Sequence, residues 1–235
     1  MLVAAAVCPC PPLLVPEVAA GAAAELDAAR AACADAVAVL AAARPNLLIA
    51  VGPADEEARG RYHAGATGSF REFGVDLEAR LGDGPEQDRP LPASLTVAAW
   101  LLDRNRWGAA PVEALGVGMS LGVDQCAEAG RDLAGRAERV ALLVMGDGTA
   151  CRTLKAPGYL DERAAAYDRE VARALGAADV EALMSLDESL AHELQAAGRA
   201  PWQVLAGAAE GASLEGRLLH EDAPYGVGYF VAAWS

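Results

Sequence analysis

Short continuous apolar runs alternate along this chain with longer amphipathic, Ala-rich stretches. Strands are predicted at Leu2–Val7, Leu47–Val51, Gly116–Met119, Val140–Met145 and Gly228–Ala233, most of them apolar enough to be buried on both faces. Between the first two, Val18–Ala43 places Leu26, Ala29, Cys33, Ala36, Val37 and Leu40 at near-helical spacing, and Glu25, Asp27, Arg30 and Asp35 mostly on other faces, which predicts one long covering helix. Two further helices are predicted over Asp161–Leu175 and Val180–Ala197, with Asp161 and Asp179 as N-caps and Gly176 and Gly198 as terminators. Gly60–Pro92, rich in Gly and mixed charge, predicts long loops with one strand near Phe73–Leu77, forming either a lid or a surface excursion.

The intervals between apolar runs are too long for hairpins. The expected fold class is therefore α/β, with a central largely parallel or mixed sheet and helices on both faces, in a single domain spanning 1–235. No run reaches the roughly 18 apolar residues of a membrane span. Thirty-three acidic against nineteen basic residues, a net charge of −14, oppose contact with nucleic acid or an anionic membrane surface. Met1–Val7 lacks a basic leader and runs into Cys8-Pro9-Cys10-Pro11-Pro12. Five scattered cysteines, an odd number, fit a reducing cytoplasmic compartment without disulfides.

In a parallel α/β sheet the ligand site lies beyond the carboxyl ends of the strands, which directs attention to four polar loops. Cys8 and Cys10 follow the first strand; period-two geometry puts both sulfurs on one side, for ligation, redox work or burial as small apolar groups. Asp55 opens the run Asp55-Glu56-Glu57 after the second strand, otherwise a solvated face. Gly146-Asp147-Gly148-Thr149-Ala150-Cys151-Arg152 follows the fourth: Asp147, Thr149 and Cys151 are placed to meet a ligand, or Asp147 accepts backbone amides in a turn. Arg152 beside Cys151 would lower the thiol pKa, the basis of a hydrolase alternative. The acidic loop His220-Glu221-Asp222 and Tyr225 precede the last strand. Of the three histidines, His63 and His220 lie where they reach such a crevice, and His192 sits on a solvated helix face.

The order of these segments resembles the LigB-type class III extradiol dioxygenases, with Memo-like proteins as relatives. Cys10-Pro11-Pro12-Leu13-Leu14-Val15-Pro16-Glu17 is similar to the family's opening His-Pro-Pro-Leu motif. Leu48-Ile49-Ala50-Val51-Gly52-Pro53 is similar to its second strand and Ser/Gly-Pro-His turn, and Gly146–Arg152 to its Gly-Asp-x-Ser-His-Arg segment. Pro157-Gly158-Tyr159, Tyr167-Asp168, Trp202–Ala208 and Gly226–Phe230 follow in the family's order. The resemblance implies an Fe(II) oxidoreductase acting on an aromatic small molecule, with two histidines and a carboxylate on the metal, a further histidine handling protons, and a homodimeric assembly. This chain departs from that pattern: Cys10 stands for the first histidine, Ala54 or Asp55 for the second, and Cys151 lies near the position of the proton-handling one. The expected site is then Cys10, His63 and Glu221 on the metal, which is Fe(II), another metal or none, with Asp147, Thr149 and Cys151 in catalysis, and Cys8, Asp55, Arg152 and Tyr225 around the substrate. The alternative is a non-catalytic member of the same fold that binds a small molecule or a partner.

Overall fold

A computed structural model describes residues 1–235. Nine strands form: β1 (Leu2–Cys8), β2 (Leu47–Ala54), β3 (Gly60–Tyr62), β4 (Thr67–Ser69), β5 (Glu78–Arg80), β6 (Val112–Gly118), β7 (Val140–Met145), β8 (Gly216–Asp222) and β9 (Tyr229–Trp234). Seven make one sheet in the order β3-β6-β2-β7-β1-β9-β8, and β4 with β5 forms a separate hairpin. The inner strands β6, β2, β7 and β1 are mutually parallel, while β3, β9 and β8 run antiparallel to their neighbours. The α/β class with a mixed sheet follows. First and last strands are neighbours, pairing Ala5 with Trp234 and Val7 with Ala232.

The helices are α1 (Pro16–Ala19), α2 (Asp27–Ala42), α3 (Ala93–Arg104), α4 (Val123–Ala134), α5 (Ala164–Ala177), α6 (Val180–Met184), α7 (Glu188–Glu193) and α8 (Arg199–Ala209). Strand alternation divides the core in two. Ala4, Ala6, Cys8, Leu48, Ala50, Leu143 and Met145 face α2 and α3, whereas Ala5, Val7, Ile49, Val51, Leu142 and Val144 face α4, α5 and α8. Small residues let α4 and α8 pack backbone to backbone: a Cβ on Gly130 would lie 2.1 Å from the Val204 carbonyl oxygen. No helix is long and apolar enough to cross a membrane.

Several boundaries differ from those predicted. The helix expected over Val18–Ala43 is broken: α1 ends at Ala19, residues Ala20–Leu26 form a 3-10 segment, and α2 starts at Asp27. Buried Arg30 stabilises that break, donating to the carbonyls of Leu14 (3.1 Å) and Ala23 and to the Asp27 carboxylate (2.7 Å). Val180–Ala197 is two helices because Gln203 Nε2 reaches the carbonyls of Leu183, Met184 and Leu186, replacing intrahelical donors; Asp179 and Asp187 then cap α6 and α7. Asp161 accepts from the Arg163 amide just before α5. Gly176 lies within α5, which Ala178 caps in the left-handed region. The 60–92 segment has no strand at Phe73–Leu77; its hairpin buries Phe70 and Leu81 in the α2/α3 core, so it is packed structure.

Exposed Ala20 turns the chain at φ 47°, ψ −116°, a conformation that suits only glycine. Ala20→Gly removes this strain at the cost of a looser unfolded chain and gives up no burial. It is expected to raise stability by about 1 kcal/mol, read from the urea midpoint at unchanged m-value.

Candidate functional site

At the carboxyl ends of the central strands, β1 and β7 remain paired past their last residues, the Gly146 amide donating to the Cys8 carbonyl at 3.0 Å. The next residues fold toward each other. The Cys10 amide donates to Asp147 Oδ1 at 2.9 Å, and the Cys10 thiol lies 3.9 Å from Oδ2. Asp147 is partly exposed, yet surrounding protein pushes its carboxyl up to about 7, against the lowering effect of the Cys10 donors. Burial and the Asp147 charge hold the Cys10 thiol well above the ordinary range, so it is a protonated neighbour of the acid. Buried Tyr229, on β9, is raised by burial first and by Asp147 next. Asp147 thus exchanges a proton near neutrality, in the range where a carboxyl both donates and accepts hydrogen bonds.

A second buried acid holds the same loop in shape. Asp168, on α5 and fully inaccessible, accepts from the Thr149 amide (2.9 Å), the Thr149 hydroxyl (3.0 Å) and Arg152 Nη1 (2.8 Å). Burial raises its carboxyl despite these donors. Glycine is required around it: a Cβ on Gly228 would lie 2.5 Å from Asp168 Oδ2, and one on Gly148 2.8 Å from Oδ1. The loop is zipped to the strand β9 entry by Gly148 N to Gly228 O (2.6 Å), Gly228 N to Thr149 O (2.9 Å) and Arg152 N to Gly226 O (3.0 Å). Thr149 and Arg152, expected in catalysis and substrate contact, therefore spend their polar groups on Asp168. No role for Asp168 was read from the sequence, because nothing local distinguishes a buried helix acid from a solvated one.

The other expected residues separate. Cys8 is fully buried, its thiol raised first by its contact with Cys33 of α2. It packs in the α2/α3 core, as does Cys10, which agrees with sulfurs on one side. Cys151 belongs to the core on the opposite face of the sheet, 3.5 Å from the Leu194 carbonyl and 3.6 Å from that of Gly158, and burial raises its thiol. The expected joint site of Cys10 and Cys151 is thus divided by the sheet. The basis for an activated Cys151 beside Arg152 also goes, since Arg152 turns to Asp168.

His63 is exposed and follows β3, which runs antiparallel to β6 with Tyr62 opposite Ala114. That direction carries it toward the amino ends of the parallel strands, away from Cys10. His220, Glu221 and Asp222 lie on the edge strand β8 instead of a loop, with Glu221 exposed opposite Phe230 and β9 between it and β1. The structure does not bring Cys10, His63 and Glu221 together, and no group of three His, Cys, Asp or Glu side chains is placed to hold a metal ion. The donor set expected for Fe(II) does not fit. Asp55 is exposed at the end of β2. The Tyr225 hydroxyl donates to Glu25 at 2.9 Å, and with Thr153, Leu154, Lys155 and Pro224 lines an open trough of about 530 Å³ beside the 146–152 loop.

No family model matches this chain, and no curated protein matches it. Among solved structures it is similar to the crystal structure of uncharacterized protein JW3007 from Escherichia coli K12, with a TM-score of 0.53 and 14% identity over 99% of each chain. At that identity the likeness shows a shared fold from end to end and carries no activity across.

Proposed function

We propose that this chain is a small-molecule-binding protein on a LigB-type scaffold that works without the extradiol iron centre. The observation that carries the reading is Asp147: a partly exposed acid at the carboxyl ends of β1 and β7, pushed up to about 7 and held by the Cys10 amide. A carboxyl in that state hands a hydrogen bond to an acceptor or takes one from a hydroxyl without a metal. The Tyr225 trough beside the same loop supplies an aromatic wall for an aromatic ligand. Five free, buried cysteines favour a cytoplasmic setting.

The test uses catechol as probe. The protein is incubated anaerobically with Fe(II), desalted, analysed for iron, and followed for oxygen uptake with catechol. The expected result is no stoichiometric iron and no oxygen consumption, while catechol shifts the Asp147 titration seen by carboxyl ¹³C NMR. One iron retained per chain with oxygen uptake would establish the dioxygenase reading instead. An Asp147 titration that catechol leaves unmoved would remove the ligand site.

A further inference from the structure

Three buried side-chain polar atoms in this protein lack a hydrogen-bond partner: Tyr167 Oη, Arg199 Nε and Trp202 Nε1. Arg199 and Trp202 lie one turn apart on α8, and Tyr167 of α5 feels the Arg199 charge. A native fold leaves few such atoms, and each marks a place where something else can complete the bonding. This place is on the α4/α5/α8 face of the sheet, opposite the core that holds Cys10.

Arg199 is the unusual member, being 2% exposed in a chain with a net charge of −14. Its Nη1 donates to the Leu121 carbonyl at 2.6 Å and to Gln203 Oε1 at 3.0 Å, and its Nη2 to the Met119 carbonyl. These acceptors are neutral. The nearest carboxylate, half-exposed Glu188, stands 3.9 Å from Nη2, beyond a hydrogen bond. A buried guanidinium is normally matched by an anion, and here the match is incomplete. Nη2, with one neutral acceptor and a half-exposed carboxylate 3.9 Å away, is the guanidinium nitrogen with hydrogen-bonding capacity left for an anion.

That guanidinium lines a cavity of about 340 Å³, together with Met119, Ala191, His192, Gln195 and Ala196. Met119 is 52% exposed, and His192 and Gln195 are exposed at the rim, so the cavity opens to solvent. Its size suits a small organic ligand, and its walls pair apolar side chains with one buried cation. We propose that this pocket binds a small organic carboxylate, the acid group on Arg199 and the apolar body against Met119, Ala191 and Ala196. In the ligand-free protein Glu188 stands at the edge as a weak internal competitor. The site uses none of the side chains of the Asp147 reading, although the Asp147 carbonyl accepts from the Gly198 amide next to Arg199, so separate probes test the two.

Benzoate is the probe and benzamide its neutral counterpart, each titrated into the full chain while the imidazole resonances of His192 are followed by NMR. Benzoate is expected to saturate with a dissociation constant of about 1 mM or below, and benzamide to bind at least about tenfold more weakly. Two exposed positions avoid disturbing the fold. Met119→Glu sets a second negative charge at the mouth and is expected to weaken benzoate about tenfold, while Glu188→Gln removes the competitor and tightens it about threefold. Equal binding of the two probes, no saturable shift with benzoate, or the same benzoate affinity in both variants as in the parent would each overturn the proposal. None of these results bears on the pH behaviour of Asp147.

Discussion

Asp168→Ala is expected to cost about 3 kcal/mol of folding stability, the largest single-residue effect in the carboxyl-end region. The substitution strands the Thr149 amide and hydroxyl, frees Arg152 and opens a void between Gly148 and Gly228, whose backbones approach because the carboxylate is there. The Asp168–Arg152 pair offsets only part of the cost of burying the acid. Burial raises the Asp168 carboxyl in spite of the ion pair, so desolvation outweighs attraction, and what the pair supplies is a fixed loop shape. The conservative change should show this. Asp168→Asn keeps an acceptor for the Thr149 amide but loses the Arg152 contact, and is expected to cost roughly half as much. Urea denaturation of the three proteins checks the ranking, and an Ala variant as stable as the parent would mean that the loop holds itself.

How much of this was legible in sequence depended on where the information resides. The apolar runs of β1, β2 and β7 are continuous because both faces are covered, which makes them visible in the sequence. In α3, nine consecutive buried residues, Ser94–Leu102, erase the helical period by which a half-buried helix is recognised. Long-range side chains set the helix breaks: Arg30 caps carbonyls of residues 14 and 23, and Gln203 those of residues 183, 184 and 186. No local window contains such facts. In the candidate site, Asp147 was legible because it follows a strand and sits between glycines. The convergence of Cys10, His63 and Glu221 was not testable from order alone, since β3 reverses direction and β8 lies at the far edge. Cys10 and Cys151 each follow a neighbouring strand, yet they turn to opposite faces, because Cys151 lies in the irregular loop beyond Met145 where strand alternation no longer holds.

The same physics gives Asp147→Asn a signature in pH. The carboxyl lies at about 7 in the folded chain against an ordinary 3.8, so the folded state binds the proton more tightly. A raised carboxyl contributes stability that is complete below about pH 4, where both states are protonated. It is lost as pH climbs to 7, and the contribution stays lost above that. Three units correspond to a ceiling of about 4 kcal/mol, and solvent reaching the partly exposed side chain reduces this to roughly 1–2 kcal/mol. Asparagine keeps an oxygen for the Cys10 amide and never ionises. The variant is therefore expected to match the parent at or below about pH 4 and exceed it by roughly 1–2 kcal/mol at pH 8, so that the gap opens between about pH 4 and 7. Thirty-three acidic residues titrate in the parent, and taking the difference between the two proteins at each pH cancels the rest. Urea unfolding from pH 4 to 8 measures it. A gap that stays flat, or one that favours the variant at the acid end, would show that Asp147 is an ordinary solvated carboxylate and would take the proton-exchanging anchor out of the proposed site.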